Sequence, residues 1–332
     1  MLYVDNRNVT DPRLNLALEE HVLRNRITDD SCLLFYVNAP SIIVGRNQNT
    51  IEEINPAFVD ARGIQVVRRI SGGGAVYHDL GNLNFSVTVP YAPNRFNRYE
   101  EFTRPVVEVL RDLGVPAEVG GRNDILADGR KISGNAQFAT PTRMFSHGTL
   151  LLDSNLDDVT SALQVKPAKI ESKGVKSVRS RVANIREFLR EPLAVEELRE
   201  RIIERIFGTR DRARIPTLEL TEHDWNAARE LVARKYGSWH WNYGENPACN
   251  VQRAQRFPAG EIDVRIDVQQ GHVAALRIFG DFMGRTDVAQ LEQRLHGVRY
   301  DRATIATALG GLDLREYFGD VNGDDLLTVL CG

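Results

Sequence analysis

The spacing of apolar and polar residues along the chain predicts both helices and short strands. Apolar runs at residues 33–37 and 42–44 are flanked by polar residues or glycine, which is typical of buried strands. Apolar residues recur with helical spacing over residues 99–113, 195–207 and 221–235, which predicts amphipathic helices. We therefore expect a fold that mixes helices with strands.

The first helix is predicted from its start signal. Asp11 and Pro12 form an N-cap and first-turn pair. His21 lies on the apolar face of this helix and is interpreted as a structural histidine rather than a ligand. The other residues predicted on that face are Leu14, Ala17, Leu18 and Val22.

The last part of the chain begins a new pattern. A hairpin is predicted over residues 261–268 and 273–279, turned at Gln270 and Gly271, and helical patterns follow near residues 287–295, 302–309 and 324–330. Residues 244–249 form the best candidate linker. We therefore predict one domain over residues 1–245 and a small accessory domain over residues 250–332.

Composition and charge narrow the classes of function. The chain has 332 residues, 42% of them hydrophobic, and a formal net charge of −3, so any basic binding site must be local. We expect neither nucleic acid nor a membrane as a partner. No apolar run approaches a membrane-spanning helix and the first residues lack a targeting peptide, which predicts a cytoplasmic protein. Cys32, Cys249 and Cys331 form no CxxC motif, which argues against disulfides and a cysteine zinc site.

The segment RRISGGGAVYHDLGNLNFS, residues 68–86, carries the strongest candidate chemistry. Gly72, Gly73 and Gly74 have no Cβ, so a phosphate or carboxylate can lie against the backbone N–H groups. Arg68 and Arg69 add guanidinium groups that bind oxyanions. The segment matches neither a P-loop nor a dinucleotide-binding fingerprint. We expect the glycines to join two strands, with residues 65–67 at the end of the first. A long hairpin turn or a bulge that holds no ligand is the alternative interpretation.

A second polar segment, residues 121–138, contains a predicted hairpin. The dipeptide Asp128-Gly129, flanked by strand-like residues, is the strongest short-range hairpin signal available. Such a turn places Asn123 and Asp124 on one arm and Lys131 on the other.

The chain is strongly basic between residues 166 and 186. Gly174 and the alternation of serine and valine around it favour a mobile loop that closes over an anion, and a solvated charged surface is the alternative. The basic residues are Lys166, Lys169, Lys173, Lys176, Arg179, Arg181 and Arg186.

Taken together, the motifs of this chain resemble those of the lipoate–protein ligases in the biotin/lipoate ligase superfamily. The motifs that carry the resemblance are GRNQN at Gly45, RRISGGGAVYHDLGN at Arg68, GRND at Gly121, RKISGNA at Arg130, HGTLLLD at His147, KGVKSVRSRVAN at Lys173 and WNYGENPA at Trp241.

This resemblance implies an α+β fold, with a mixed β-sheet catalytic domain of the biotin/lipoate ligase type, flanking helices and a small α+β C-terminal domain. It also implies that lipoate, or octanoate as an alternative acid, is activated with ATP and Mg²⁺ to an acyl-AMP, with release of pyrophosphate. The acyl group would then pass to a lysine of an apo lipoyl domain of a 2-oxoacid dehydrogenase complex or of the glycine-cleavage H protein. No tightly bound prosthetic group is expected.

The resemblance assigns roles to some residues, including Arg69, Gly74 to Tyr77 and Lys131, and the chemistry of the side chains adds further candidates. Lys131 is expected to be catalytic, because a cation between the carboxylate and the α-phosphate lowers their repulsion. Asp124 is a candidate contact to Mg²⁺ or ribose, and His147 is either an acyl-pocket residue or structural. Residues expected at ATP or the adenylate are Arg69, Gly74, Ala75, Val76, Tyr77, Lys131, Asn123 and Asp124. Those expected at lipoate are Lys131, Arg46, Ser71, Gly72, Gly73, His78 and His147. The loop expected to cap the adenylate includes Lys173, Gly174, Val175, Arg179 and Arg181.

Three other activities remain open from sequence. An octanoyl or lipoyl transferase of the same superfamily passes the acyl group through a cysteine thioester, but Cys32 and Cys249 lie outside the motifs. A biotin ligase is disfavoured because the motifs match the lipoate branch. A non-catalytic protein that binds lipoyl-adenylate would bind without releasing pyrophosphate, so turnover separates it from an enzyme.

Overall fold

The computed structural model of the protein describes residues 1–26, 30–121, 123–163, 181–243 and 250–331. The chain divides into two compact units. The first comprises Met1–Ile43, Ile51–Val67 and Val76–Asn242, and the second comprises Val44–Thr50, Arg68–Ala75 and Tyr243–Gly332. Two short stretches that carry the GRNQN and SGGGA motifs thus belong to the second unit. The domain borders predicted around residues 244–249, which lie outside the described residues, stay a prediction.

The first unit is built on a seven-stranded sheet with the order β1-β2-β6-β10-β9-β8-β7. β1 and β2 run parallel, and each of the other neighbouring pairs is antiparallel. The strands are β1 (Leu2–Val4), β2 (Cys32–Val37), β6 (Asn82–Pro90), β7 (Ala117–Gly120), β8 (Asp124–Ala127), β9 (Arg130–Ala139) and β10 (Arg143–Leu151).

Three shorter strands form a separate sheet with the order β4-β3-β5. β3 (Ser41–Val44) pairs antiparallel with β5 (Val76–His78), and β4 (Gln65–Arg68) lies on the other side of β3. The predicted strands on both sides of the glycine-rich segment are therefore present, and that segment joins β4 to β5.

The helices that the apolar periodicity predicts are present with small shifts at their ends. The α-helices are α1 (Pro12–Asn25), α2 (Thr50–Glu53), α3 (Pro56–Arg62), α4 (Tyr99–Asp112), α5 (Leu156–Ala162), α6 (Val195–Phe207), α7 (Glu222–Leu231), α8 (Trp239–Tyr243), α9 (Ala289–Leu295), α10 (Arg302–Leu309), α11 (Arg315–Phe318) and α12 (Gly323–Cys331). Short 3₁₀ segments lie at Ile185–Phe188 and Arg212–Arg214, and a π-helical turn at Val232–Tyr236 continues α7. Among the described residues no helix is long and apolar enough to cross a membrane; the cytoplasmic location stays a prediction.

One face of the seven-stranded sheet carries the main apolar core of the first unit. Alternate residues of β6, from Leu83 to Val89, pack there with Val106 of α4 and Ile202 of α6. The residues between them on β6 face the opposite side and are polar. The opposite face also carries a second apolar cluster, formed by residues of β1, β2 and α1. The candidate site residues lie among the buried polar residues beside that cluster.

Helix α1 begins as its sequence predicts, but it is buried on more than one face. The Asp11 side chain accepts a hydrogen bond from the backbone N–H of Arg13 and so caps the helix. Glu19 and Glu20 are buried along with the apolar residues, because each carboxylate has partners. Glu20 accepts hydrogen bonds from the Tyr236 hydroxyl at 2.6 Å and from Lys235 Nζ at 2.7 Å.

His21 is a buried structural residue, as predicted. Its Nε2 lies 2.9 Å from Asp224 Oδ1, and Asp224 also accepts a 2.8 Å hydrogen bond from the backbone N–H of Thr221. Burial acts to raise the pKa of Asp224, but the hydrogen bonds from His21 and Thr221 outweigh it and lower that pKa from 3.8 to about 2. The contact joins α1 to α7.

We expect acid to remove the contribution of Asp224 to stability. A carboxyl group whose pKa falls on folding stabilises the protein above its unfolded-state pKa, here 3.8, and this contribution is lost as the pH falls towards about 2. Urea unfolding of wild type and Asp224→Asn at about pH 6, 4 and 3 tests this. The variant should have the lower midpoint at pH 6, and the difference should shrink below pH 4. A difference that stays constant down to pH 3 would contradict the assignment.

The C-terminal part of the second unit is a three-stranded antiparallel sheet with helices on one side. Its strands, in the order β11-β12-β13, are β11 (Val251–Phe257), β12 (Gly260–Gln269) and β13 (His272–Gly280). The predicted hairpin is present, with positive φ angles of 49° at Gln270 and 76° at Gly271. β11 was not predicted. The apolar core between this sheet and the helices includes Ile262, Val264 and Phe318.

Candidate functional site

The candidate residues fall into two groups, and the first group lies on the β8–β9 hairpin of the first unit. Asp128 and Gly129 have φ angles of 47° and 72°, which a two-residue hairpin turn with both central residues at positive φ requires. The prediction of this hairpin is confirmed. Asp124 opens β8, and Lys131 is the second residue of β9, so the two arms carry the residues that the sequence predicts.

A β-bulge in β9 gives Lys131 its direction. Leu126 pairs with Lys131 and Ile125 pairs with Ser133, so Ile132 is an extra residue on β9. Ile132 is buried in the apolar core. Lys131 Nζ lies 2.8 Å from Asp124 Oδ1, with side chains that are 34% and 30% exposed. The ammonium is therefore held on the hairpin while part of it still faces solvent.

The two asparagines next to this pair hold the backbone of the hairpin. The backbone N–H and the side-chain Nδ2 of Asn135 both donate to the Asn123 carbonyl, at 2.9 Å and 3.0 Å. Asn123 Nδ2 donates in turn to the Asn135 carbonyl. This geometry gives Asn123 a role in shaping the hairpin, and its predicted contact to ATP stays a prediction.

His147 extends the polar face of the sheet towards α1. Its Nδ1 lies 3.0 Å from both carboxylate oxygens of Glu19, and its ring packs on Phe145 with centroids 4.6 Å apart. Register places His147 beside Ser86 and Thr149 beside Asn84. The Glu19 carboxylate therefore fixes the orientation of His147 beside the buried polar residues of β6.

Sequence reasoning assigned no role in the site to the residues of this face on β6. Asn82, Asn84, Ser86 and Thr88 are all buried. Asn82 Oδ1 and Ser86 Oγ are buried and have no hydrogen-bond partner among the described residues, so their hydrogen-bonding capacity is unused. The polar residue at every second position of an otherwise apolar strand was the signal that could have revealed them.

Tyr77 and His78 lie on β5 and face partners within the first unit. The Tyr77 hydroxyl is 3.5 Å from Asp158 Oδ2, and burial together with Asp158 and Asp79 raises the pKa of Tyr77 to about 12. His78 Nδ1 lies 3.0 Å from Asn38 Nδ2 and is buried. Val76 is the first residue of the same strand. These three residues therefore belong to one short strand next to the glycine loop.

The second group lies in the second unit, where the glycine loop folds around the side chain of Arg69. The Arg69 guanidinium donates to the Gly72 carbonyl at 2.7 Å, to the Gly74 carbonyl at 2.9 Å and to Ser71 Oγ at 3.0 Å. Because Arg69 is buried by its own loop, it sets the loop's shape. Its predicted contact to ATP stays a prediction.

The Arg68 side chain sets the shape of the neighbouring GRNQN loop, as Arg69 does for the glycine loop. Its Nη1 donates to the carbonyls of Gly45 at 2.9 Å and Gln48 at 2.6 Å, and its Nη2 donates to Thr50 Oγ1 at 2.7 Å. Burial, with further contributions from Arg46, Arg277 and Arg69, lowers the pKa of Arg68 to about 9, which still leaves the group charged at neutral pH.

The two loops and a C-terminal segment approach one another at the level of their backbones. A Cβ added to Gly45 would lie 1.9 Å from the Gly73 carbonyl oxygen, and one added to Gly72 would lie 2.6 Å from the Phe282 carbonyl oxygen. Gly73 has a φ of 93°. A Cβ on Gly74 would meet nothing within 4 Å. Gly45, Gly72 and Gly73 therefore serve close packing, and Gly74, with Ala75 next to it, is the part of the loop left accessible.

Arg46 forms an ion pair with Asp287 inside the second unit. Burial acts to raise the pKa of Asp287, but Arg46 outweighs it and the pKa is lowered. Arg46 was predicted at lipoate. That contact stays a prediction, and binding of a carboxylate to Arg46 would have to compete with Asp287.

Most of the predicted capping loop, including Lys173, Gly174, Val175 and Arg179, lies outside the described residues. Arg181 is described and half-buried. Just after it, the backbone N–H of Ala183 donates to the Lys131 carbonyl at 2.9 Å, and Val182 forms a parallel bridge with Lys131. The chain that leaves the predicted loop is therefore bonded to the strand that carries Lys131.

The described residues contain no cluster of three or more histidine, cysteine, aspartate or glutamate side chains that could hold a metal ion. Asp124 offers one carboxylate, shared with Lys131. Such a donor fits Mg²⁺ only where nucleotide phosphates and water supply the other ligands, which is the usual way that proteins bind this ion.

Comparison with known proteins decides the family. Residues 11–207 match the model of the lipoyl protein ligase A/B catalytic domain, and residues 246–330 match that of the bacterial lipoate protein ligase C-terminus. The chain belongs to the lipoate–protein ligase family. This ligase is 52% identical to the lipoate–protein ligase LplJ of Bacillus subtilis over 99% of its own length and 100% of that protein.

Two solved structures have the same fold as the ligase. One is a bipartite lipoate–protein ligase of Thermoplasma acidophilum, studied with its E2 lipoyl domain, at 32% identity and a TM-score of 0.63 over 75% of this chain and 98% of that one. The other is a lipoate–protein ligase A bound with ATP, at 32% identity and a TM-score of 0.59 over 70% of this chain and 94% of that one. The predicted family, the α+β fold class and the assignment of the chain as an enzyme are confirmed.

Proposed function

We propose that this chain activates lipoate with ATP to lipoyl-AMP and then transfers the lipoyl group to one lysine of an acceptor protein. The acceptors are apo lipoyl domains of 2-oxoacid dehydrogenase complexes and the glycine-cleavage H protein. The observation that carries the proposal is the Lys131 ammonium, fixed by Asp124 on a hairpin yet still accessible. The family and the ATP complex of a relative give it further support.

In the first step, a lipoate carboxylate oxygen attacks the α-phosphorus of ATP and the bond to pyrophosphate breaks. Two anions must approach each other, so a fixed cation between them lowers the barrier. Lys131 supplies that cation, because a lysine ammonium has three donors and can contact both groups at once. Gly74 and Ala75 offer accessible backbone to the nucleotide, and Arg69 shapes the loop that carries them.

In the second step, the neutral ε-amine of the acceptor lysine attacks the acyl carbon of lipoyl-AMP. The C–N bond forms, the acyl–phosphate bond breaks, and AMP leaves with the electron pair while the amine loses a proton. Lys131 would stabilise the oxyanion and the departing phosphate. Mg²⁺, where bound, would supply charge neutralisation at the phosphates, and Asp124 is the residue that would hold it.

His147, Glu19 and the polar atoms of β6 are proposed to line the lipoate site, together with His78. The lipoate contacts predicted for Arg46 and for Ser71 to Gly73 are part of the same proposal. Polar groups beside apolar residues suit a ligand with one charged end and an apolar body.

The environment of Cys32 argues against the thioester mechanism of a transferase. Its thiol is 1% exposed, and burial raises its pKa, so it is not a ready thiolate. Cys331 is near the end of the second unit, where burial also raises its pKa. Cys249 lies outside the described residues.

Pyrophosphate release tests the proposed function. Wild type and Cys32→Ala would be given ATP and Mg²⁺ with lipoate, octanoate or biotin, with and without an apo E2 lipoyl domain. We expect lipoate-dependent release and a lipoyl mass increase on the acceptor, both retained in Cys32→Ala. Acyl transfer without pyrophosphate release, lost in Cys32→Ala, would favour the transferase. Binding of lipoyl-AMP with neither release nor transfer would indicate a binding protein instead.

A further inference from the structure

Gly134 lies directly under the end of the Lys131 side chain. A Cβ added to Gly134 would be 2.8 Å from Lys131 Nζ and 2.9 Å from Lys131 Cε. These separations are well inside van der Waals contact, which lies near 3.5–4.0 Å for carbon. The space that any other residue would fill with its side chain is therefore taken by the lysine ammonium.

The β-bulge explains why the two residues meet. Ile132 is the extra residue of β9, so Lys131 no longer follows the usual alternation of the strand. The lysine side chain turns along β9 and crosses Gly134, whose partner on β8 is Asp124. Asp124 then holds the ammonium at 2.8 Å.

The backbone of Gly134 is fixed from the other side. Its N–H donates to Thr149 Oγ1 on β10 at 3.3 Å, and the next residue, Asn135, is bonded to Asn123. These hydrogen bonds keep the strand from moving away from a methyl group added at residue 134. The clash would instead be relieved by a movement of the flexible end of Lys131.

We propose that Gly134 is a positioning residue of the ligase reaction: it reserves the place where the Lys131 ammonium sits beside Asp124. The inference rests on the proposed role of Lys131. An alanine at this position would move the ammonium by about 1 Å to restore normal contact distances. The same Cβ would be 3.9 Å from Asp124 Oδ1, which is ordinary contact, so the displacement falls on the lysine alone.

Gly134→Ala should therefore lower activity without lowering stability. We expect kcat for lipoate-dependent pyrophosphate release, and the single-turnover rate of transfer from lipoyl-AMP, to fall by about tenfold to a hundredfold, as misplacement of a reacting group by about 1 Å does elsewhere. KM for ATP should change little, because the nucleotide's other contacts remain. The melting temperature should stay within about 2 °C of wild type.

Gly323→Ala is the matched control. The nearest atom to a Cβ at Gly323 is Leu314 Cδ1 at 3.9 Å, and no positive φ constrains this residue. It makes the same chemical change at the start of α12, far along the chain from the hairpin. Its kcat should equal that of wild type.

A double-mutant cycle shows whether Gly134 acts through Lys131. In a Lys131→Ala background the Gly134→Ala change should have no further effect on kcat, because the side chain that it displaces is absent. Additive losses would overturn the inference, since Gly134 would then contact substrate or support the fold directly. Full kcat in Gly134→Ala would overturn it as well.

A second readout does not depend on turnover. The rate at which Lys131 is acetylated by a water-soluble amine reagent, followed by mass spectrometry, should rise in Gly134→Ala and in Asp124→Asn but not in Gly323→Ala. An unchanged rate in Gly134→Ala would overturn the inference. Wild type that releases no pyrophosphate would refute the proposed function, and the acetylation rates would still decide whether Gly134 places Lys131.

Discussion

Lys131→Ala is expected to lower lipoate-dependent pyrophosphate release and lipoyl transfer by about 10²- to 10³-fold, the usual cost of removing one group that stabilises charge in a transition state. The fold should not change, because the Lys131–Asp124 ion pair is partly exposed and such pairs contribute little to stability. Steady-state release of pyrophosphate and single-turnover transfer from lipoyl-AMP measure the two steps separately.

The neighbouring residue offers a matched control for Lys131. Arg130 is a cation on the same strand with its own ion pair to Glu187 at 2.6 Å and a similar exposure. Arg130→Ala should keep nearly full activity. If Arg130→Ala and Lys131→Ala lowered the rates equally, general charge on the hairpin, rather than the placement of Lys131, would explain the loss.

Gly45→Ala is expected to lower the stability of the second unit. The new Cβ would lie 1.9 Å from the Gly73 carbonyl oxygen and 2.9 Å from its carbon, and both atoms belong to backbone that is hydrogen-bonded or packed nearby. The two loops would have to separate, at a cost of about 1–3 kcal/mol, as for overpacking in other interiors. KM for lipoate should rise because the loop that carries Ser71 to Gly73 moves.

Thermal unfolding and lipoate kinetics measure both effects. Gly74→Ala is the control for stability, since a Cβ there would meet nothing within 4 Å. Equal melting temperatures for Gly45→Ala and wild type would show that the close approach of the two loops does not occur in solution.

Local signals account for the elements that sequence analysis predicted. Asp11 and Pro12 start α1, and Asp128-Gly129 turns the β8–β9 hairpin, because caps and tight turns depend on residues that are adjacent in the chain. The motif order also identified the family, and with it Lys131.

Features that depend on distant partners were not predicted. The residues around Lys131 do not predict the bulge at Ile132, because the bulge depends on the register of β9 with β8. Glu19 and Glu20 are buried because His147, Lys235 and Tyr236 reach them from elsewhere in the chain. β11 was missed because most of its residues are exposed, so no apolar alternation marks it.

In the glycine-rich segment too, contacts with distant residues could not be predicted from the local sequence. Three consecutive glycines suggested a cradle for an anion, but the packing of Gly72 against Phe282 and of Gly73 against Gly45 assigns two of them to backbone contacts. A chain segment more than two hundred residues away supplies one of these partners, which no local pattern reveals.

The interlock of Gly45 with Gly73 also limits how this protein can be engineered. A library randomised at residue 45 or residue 73 should return glycine at that position among its active members. A side chain at residue 45 would project into the Gly73 carbonyl, and residue 73 has a φ of 93° and would direct a Cβ to within 3.0 Å of Arg69 Nη2. Residue 74, in the same loop, should accept small side chains. Attempts to reshape substrate preference through this loop therefore have residue 74 to work with, whereas Gly72 and Gly73 are closed to variation.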